Sequence, residues 1–399
     1  MTNNTALPTL DFGNTRLAFH AKSDARLKRT YLMYRMIGFP FTARVGPQVL
    51  NVMLRNHLPG AKAIVRGTLF KVFCAGESLE DTLLTTRQLQ QFGVRAILDY
   101  SVEGEKTEAG FDATCQEFYD TLVLGAKQQP VAFSACKLTG LASFDLMEKI
   151  SAGKSLSSEE TAAWERVKAR MERLAEASAA GQVPFFIDAE ESWIQDAIDA
   201  LAESLMERYN QTEPLIFTTV QLYRHDRLEY LRGLIQRSRE RGYVLGVKLV
   251  RGAYLEKEHA RAEAMGYPTP IQASKEATDH DFNEALRLCI DHIDQLAVCA
   301  GTHNEESSRY LTELMALKGL PNSHPRVLFA QLLAMSDHIS FNLAHEGYNA
   351  FKYLPYGPVE AVFPYLSRRA QENTSVAGQS SRELELLSRE MRRRGFWAW

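Results

Sequence analysis

A capped helix, then a glycine, then a short apolar run: the recurrence of this unit constrains the chain more than any other feature. In "SLEDTLLTTRQLQQFG" Ser78 and Asp81 stand in capping-box spacing and the pattern stops at Gly93, after which "VRAILDY" has the length and branching of a buried strand. The unit returns in "DRLEYLRGLIQRSRERG", where Asp226 and Glu229 keep that spacing and Gly242 closes the helix before "YVLGVKLVRG". Eight runs qualify as strands, at residues 94–100, 130–137, 183–190, 214–221, 244–250, 296–303, 326–331 and 349–356, with helical pattern between each pair. Strands that are apolar throughout and separated by helices pair in parallel with both faces covered, so eight units predict a (βα)8 barrel. An open doubly wound sheet is the alternative with the same local signature.

Around the barrel, assigned to residues 91–380, the reading is coarser. Residues 1–90 read as a helical arm with interruptions at Pro40 and Pro47. A charged amphipathic helix near 153–182 is inserted after the second strand and is expected to cover the barrel wall with its other face solvated. The last stretch, 381–399, ends in "REMRRRGFWAW", a basic and aromatic tail that either touches an anionic bilayer or packs back on the protein.

Composition removes several function classes. A formal net charge of -3 gives no general attraction to nucleic acid, so any anion binding has to come from a local site. Five cysteines with no C-x-x-C argue against a disulfide framework or a zinc knuckle and for a reducing compartment. With no signal-like start and no run long enough to span a membrane, the expected location is the cytoplasm, with attachment to the inner face of the membrane as an option.

Chemistry in such barrels sits at the carboxyl ends of the strands. Here those ends carry Asp99 and Glu103, Lys137, Asp188 with Glu190 and Glu191, Gln221, Lys248 and Arg251, Thr302 with His303 and Asn304, Gln331, and Tyr353 with Tyr356. No H-x-H pair follows the first strand and the ten histidines form no ligand spacing, so metal catalysis is disfavoured. A Schiff-base lyase would need a neutral lysine, a role open to Lys137 or Lys248. Neither G-x-G-x-x-G nor G-x-x-x-x-G-K-[ST] occurs, so a nucleotide cofactor would be held by the barrel itself.

After the last strand, "YLPYGPVEAVFPYLSRRAQENTS" sets Arg368 and Arg369 on one helix, each three or four residues from Tyr365 and from Glu372. In the ordinary case this is a surface ion pair worth a few tenths of a kcal/mol. On a helix that can close over the barrel mouth it becomes a clamp for a small amphipathic carboxylate, with Tyr353 and Tyr365 walling the apolar remainder.

That stretch, with "VKLVRGAYLEKE", "FFIDAEES", "GTHN" and "AGESLEDT", resembles the proline dehydrogenase family from about Lys71 to Arg394, on the side of its stand-alone, mitochondrial-like branch. The resemblance implies a distorted (βα)8 TIM-type barrel, FAD held noncovalently at the strand ends and the final helix over the mouth. It implies that Arg368 and Arg369 bind the carboxylate of L-proline, that Lys137, Asp188, Leu332, Tyr353 and Tyr365 line the pocket with Ala253 and Tyr254 at its edge, and that Glu103 is a gate pairing with Arg368. For the flavin it points to Gln221, Lys248, Val250, Arg251, Gly252, Ser274, Lys275, Thr278, Thr302, His303, Asn304, Glu372 and Ser375. This chain reads K-L-V-R-G-A-Y from Lys248 where many bacterial members read R-L-V-K-G-A-Y, which leaves open which cation approaches flavin N5.

The implied reaction is hydride transfer from proline C5 to flavin N5 with a membrane quinone as the acceptor, and it calls for orientation more than for a general base. Relatives that oxidise 4-hydroxyproline place a smaller residue where this chain has Tyr353, so proline is the expected substrate and hydroxyproline the alternative. A flavin-free amino-acid-binding barrel is the rival from another class. Oligomeric state is not readable.

Overall fold

Each of the eight runs contains a strand in the computed structural model, which describes residues 10–37, 40–56, 58–102, 105–128, 131–375 and 379–396. Side chains at 37, 40–45, 47, 55, 369–375 and 379–381 fall outside that description. The strands are β1 (Val94–Tyr100), β2 (Val131–Cys136), β3 (Phe185–Ile187), β4 (Ile216–Gln221), β5 (Leu245–Val250), β6 (Leu296–Gly301), β7 (Val327–Leu332) and β8 (Ala350–Tyr356). They close in chain order into a parallel barrel with helices between them, and the open sheet is excluded. β1 runs alongside β8 from Val94 opposite Ala350 to Tyr100 opposite Tyr356.

By internal packing the chain forms two compact units, residues 104–330 and residues 10–103 with 331–399. In the first, aromatic rings fill the space between strands: Phe133 stacks on Phe186 at 4.9 Å, and Phe217 meets Phe186 edge-on at 5.1 Å. Gly246 makes room for them, since a Cβ there would lie 2.8 Å from the Phe217 ring and 2.5 Å from the Ile216 carbonyl oxygen. The inserted helix is Ser158–Gly181, started by a Ser157/Glu160 capping box. Its buried face, packed on the helices Glu108–Lys127 and Ser192–Tyr209, holds Val167, Met171 and Leu174, together with Arg170, which donates to Asp112 at 2.8 Å and to the Leu141 carbonyl at 3.1 Å.

In the second unit the helices Asp24–Ile37, Pro40–Arg55, Val359–Ser375 and Gln379–Arg393 share an apolar cluster that includes Tyr31, Tyr34, Phe70, Phe73, Phe363, Tyr365, Leu366 and Leu387. Buried charge stitches the same unit together. Asp337 receives Lys22 at 2.9 Å and Lys352 at 2.8 Å, while the Glu383 carboxylate accepts the Ser336 N–H. Burial alone would raise the Asp337 pKa, but the two lysines outweigh it and hold the carboxyl far below its usual range.

Three local expectations are corrected. Pro40 opens a helix, as its missing N–H allows, but that helix runs on through Pro47. The Ser78/Asp81 capping box forms, whereas Asp226 makes no cap: its carboxylate is taken by Arg224 at 2.7 and 3.0 Å. The stretch expected to be a tail is helical through Arg393, because Glu383, Leu386, Leu387, Glu390 and Met391 lie on one buried face. Its end packs back on the protein. Arg394 donates to the Phe19 and Lys22 carbonyls and to Asp24 at 2.8 to 2.9 Å, both Arg393 and Arg394 pair with Glu390, and Phe396 sits under Lys28. Trp397 and Trp399 lie outside the described residues. Among the described residues no helix is long and apolar enough to cross a membrane.

Candidate active site

Strand alternation decides which polar side chains enter the barrel, because residues two apart share a face. On β5 this points Gly246, Lys248 and Val250 one way and Val247 and Leu249 the other, and Arg251 follows the strand's end. Lys248 accordingly lies with the buried aromatics, its ammonium 5.1 Å from the centre of the Phe186 ring. Just past β3, Asp188 pairs with Lys248 through one carboxylate oxygen and with Lys137, just past β2, at 3.3 Å through the other. Desolvation opposes ionisation of Asp188, but the two ammoniums win and its pKa is lowered. The result is a carboxylate held charged between two cations above a floor of phenyl rings.

Arg251 points elsewhere. It donates to Asp279 at 2.6 Å, to Thr302 at 2.7 Å and to Ser307 at 3.0 Å, with its guanidinium 4.4 Å from the centre of the Phe282 ring. Asp279 is shared with Lys275 at 2.5 Å. Desolvation dominates at this guanidinium and lowers its pKa. Around this fork two helices begin. Ser274 caps Lys275–Asp291 by accepting from the Ala277 N–H, and Asn304 caps Glu305–Leu317 by accepting from the Ser307 N–H. Thr278 is buried and donates to the Ser274 carbonyl, and His303 is half-buried beside Thr302.

Next to Val250 the chain turns at Gly252 with φ of 142°, and a Cβ there would lie 2.4 Å from the Tyr223 ring, so only glycine fits. Ala253 and Tyr254 follow, Tyr254 buried and with Lys257 5.3 Å from its ring centre. Gln221 donates to the Glu190 backbone carbonyl at 2.7 Å.

In the other unit, Leu332 and Tyr353 come together: the Leu333 N–H donates to the Tyr353 carbonyl at 2.9 Å, and Lys352 donates to the Leu332 carbonyl at 3.2 Å. The turn after Leu332 holds Ala334 and Ser336 at φ of 62° and 49°, left-handed conformations that side chains other than glycine adopt only under constraint. Asp99 is buried and accepts from Ser101 at 2.7 Å, and Tyr100 lies 5.4 Å from Tyr356, ring centre to ring centre. Gln331 serves structure, accepting from Ser340 at 2.7 Å. Tyr365 is buried in the apolar cluster of its own unit and Arg368 is half-buried. Glu103 and the side chains of Arg369, Glu372 and Ser375 lie outside the described residues.

Sequence reasoning missed the groups that hold these residues in place. Asp279 and Ser307, which fix Arg251, carry only the weak signal of a carboxylate four residues after Lys275. Glu190 was visible as a strand-end acid without a role. It accepts from the Thr139 N–H at 3.0 Å and from the Thr139 hydroxyl, its own N–H donates to Gln195 at 2.8 Å, and burial pushes its carboxyl up to about 7. Among the described residues no group of three or more His, Cys, Asp or Glu is arranged to hold a metal ion.

The family model described as proline dehydrogenase matches residues 82–382. The hydroxyproline dehydrogenase of Xenopus laevis is 32% identical, covering 95% of this chain and 89% of its own length. Proline dehydrogenase 1, mitochondrial, of Dictyostelium discoideum is 28% identical over 99% of this chain and 77% of its own. The carbapenem antibiotics biosynthesis protein CarD of Pectobacterium carotovorum subsp. carotovorum is 32% identical over 82% of this chain and 86% of its own. Among solved structures, proline utilization A from Bdellovibrio bacteriovorus, inactivated by N-propargylglycine, superposes with a TM-score of 0.75 at 18% identity. That match covers 94% of this chain and 44% of the solved one and carries the barrel fold alone.

Proposed function

The chain belongs to the proline dehydrogenase family, and on that premise we propose that it oxidises L-proline to 1-pyrroline-5-carboxylate, with FAD as cofactor and a membrane quinone as final acceptor. The observation that carries the reading is the Lys137–Asp188–Lys248 array, with Lys248 buried and the other two half-buried, at the strand ends of a barrel in this family.

The donor set fits the cofactor. A fixed arginine fork, the hydroxyls of Thr302 and Thr278, and the capped starts of two helices at Ser274 and Asn304 suit a pyrophosphate, which binds best to cations, hydroxyls and helix N-termini. Gly252 lets backbone approach closely. Lys248 faces inward and Arg251 outward, so Lys248 is assigned to the redox end of the flavin and Arg251, with Lys275, to its phosphates. Gln221, Val250, His303, Glu372 and Ser375 complete the cofactor assignment. When bound, FAD would supply the electron sink, accepting hydride at N5.

The chain's own residues then have separable tasks. Arg368 and Arg369 grip the substrate carboxylate and fix which ring carbon is presented. Asp188, held ionised, keeps both lysines in place; Leu332, Tyr353, Tyr365, Ala253 and Tyr254 wall the ring, and Glu103 closes over it. The substrate nitrogen has to be neutral, and no side chain is assigned to remove its proton. Tyr353 is buried, and its phenol leaves little room for a ring hydroxyl, which favours proline over 4-hydroxyproline. All five cysteines are free thiols, which fits a reducing compartment.

Anaerobic addition of L-proline to the purified protein tests the reading. A yellow preparation that bleaches, with kcat/KM for 4-hydroxyproline well below that for proline, is expected. A colourless protein that binds proline, trapping of substrate by borohydride, or equal kcat/KM for the two substrates would overturn it at the cofactor, the chemistry or the specificity respectively.

A further inference from the structure

Two loops deliver Lys137 and Asp188, and one further side chain ties those loops together. Lys137 follows β2 and opens the short helical turn Leu138–Gly140, whose Gly140 N–H donates to the Lys137 carbonyl at 3.1 Å. Asp188 follows β3. Two residues on, the buried Glu190 reaches back to the turn after β2, accepting from the Thr139 N–H at 3.0 Å and from the Thr139 hydroxyl. Thr139 stands two residues from Lys137 as Glu190 stands two from Asp188, so this contact braces the Lys137–Asp188 ion pair of 3.3 Å from beside it.

The backbone of Glu190 is gripped as well. Its N–H donates to the Gln195 amide oxygen at 2.8 Å, and its carbonyl accepts from the Gln221 amide at 2.7 Å. Gln195 is held in turn, donating to Asp199 at 2.8 Å, while Asp199 accepts from Arg227 at 2.5 Å; all of these residues are buried. A carbonyl oxygen only accepts, so the Gln221 amide has its nitrogen turned to the loop, and Glu190 thereby decides how that amide is presented. Beyond the turn, the buried Arg170 of the inserted helix pins the Leu141 carbonyl at 3.1 Å. Burying a carboxyl group among neutral donors is costly to the fold, and an apolar side chain would pack there more cheaply. What an apolar side chain lacks is an acceptor for Thr139.

We propose that Glu190 is a positioning residue for proline oxidation: its carboxyl group holds Thr139 and so fixes Lys137 against Asp188, and its backbone carbonyl sets the amide of Gln221. One residue thus orders a part of the substrate pocket and a part of the flavin site together. The inference rests on the reading of the chain as a flavin-dependent proline oxidase. The task requires an acceptor and not a charge, which separates Glu190 from a catalytic acid or base.

The test is anaerobic flavin reduction at increasing L-proline in wild type, Glu190→Leu, Glu190→Gln and Thr139→Val, together with the rate at which each holoprotein releases FAD on dilution, read by flavin fluorescence. In Glu190→Leu the limiting reduction rate is expected to fall by about tenfold to a hundredfold, the scale of a misplaced reacting geometry. Half-saturating proline should stay within about threefold, because the carboxylate clamp is assigned to Arg368 and Arg369 of the other unit. FAD release should be about twofold to tenfold faster, the worth of one hydrogen bond. Glu190→Gln keeps an acceptor and should restore both rates. Thr139→Val loses the hydroxyl and keeps the N–H, so it should fall between, and it decides the matter where the leucine variant does not fold: an unchanged rate there would overturn the proposal. So would wild-type behaviour of Glu190→Leu, a glutamine variant as slow as the leucine one, or a loss that lies wholly in half-saturation. A wild-type protein that L-proline does not reduce would overturn the oxidase reading and this inference with it, whereas normal reduction in both wild type and Glu190→Leu would overturn this inference alone.

Discussion

Two acids two residues apart in the loop after β3, Asp188 and Glu190, behave in opposite ways, and the difference is one of neighbours. Asp188 has two ammoniums and stays charged; Glu190 has a hydroxyl, a backbone N–H and burial, and titrates near 7 against an ordinary 4.5. Between those two values the folded chain keeps a proton on Glu190 that the unfolded chain has released, so stability should fall as pH rises from about 4.5 to about 7. Glu190→Gln keeps the shape and removes the titration. Denaturant unfolding across that window should show a flatter profile for the variant, by on the order of 3 kcal/mol at most. An identical slope in both proteins would mean that Glu190 is not the group responsible. The identity of the charged residues at the strand ends was legible in the sequence because a polar residue ending an apolar run stands out. Their pairing was not, since Lys137, Asp188 and Lys248 are 51 and 60 residues apart from partner to partner and nothing local joins them.

At the level of elements, the eight strands were readable because each is short, apolar and preceded by a helix that ends in a recognisable way, as Gly242 does with φ of 76°. Two local signals failed. Pro47 is carried inside a helix, and Asp226 gives its carboxylate to Arg224 instead of to a helix N-terminus. The turn after β7 is the element with most at stake, because two left-handed residues follow Leu332 there and buried charge surrounds them. Asp337→Ala would leave Lys22 and Lys352 buried without their shared carboxylate, and is expected to cost about 3 to 5 kcal/mol of stability. A loss below 1 kcal/mol in denaturant unfolding would show that the lysines find other partners or lose their charge cheaply.

For the molecule as a whole, family membership, barrel topology and an arginine-bearing helix after the last strand agree, although the arm and the C-terminal helix were only coarsely foreseen. Contacts such as the Tyr34 hydroxyl donating to the Ala334 carbonyl at 3.0 Å join residues 300 positions apart and leave no trace in local pattern. The thiols give a global check on packing. All five are buried, and desolvation pushes Cys74 and Cys299 up to about 12, so the native protein should resist a disulfide reagent that labels all five after unfolding. Rapid labelling of any native thiol would contradict the buried placement. The carboxylate clamp is tested most directly by the rate of anaerobic flavin reduction at increasing L-proline in wild type and in Arg368→Gln/Arg369→Gln. With charge-assisted bonds of roughly 1.5 to 3 kcal/mol each removed, the half-saturating proline concentration is expected to rise by about a hundredfold or more. Unchanged saturation and unchanged reduction rate would contradict the assignment of the two arginines to the substrate.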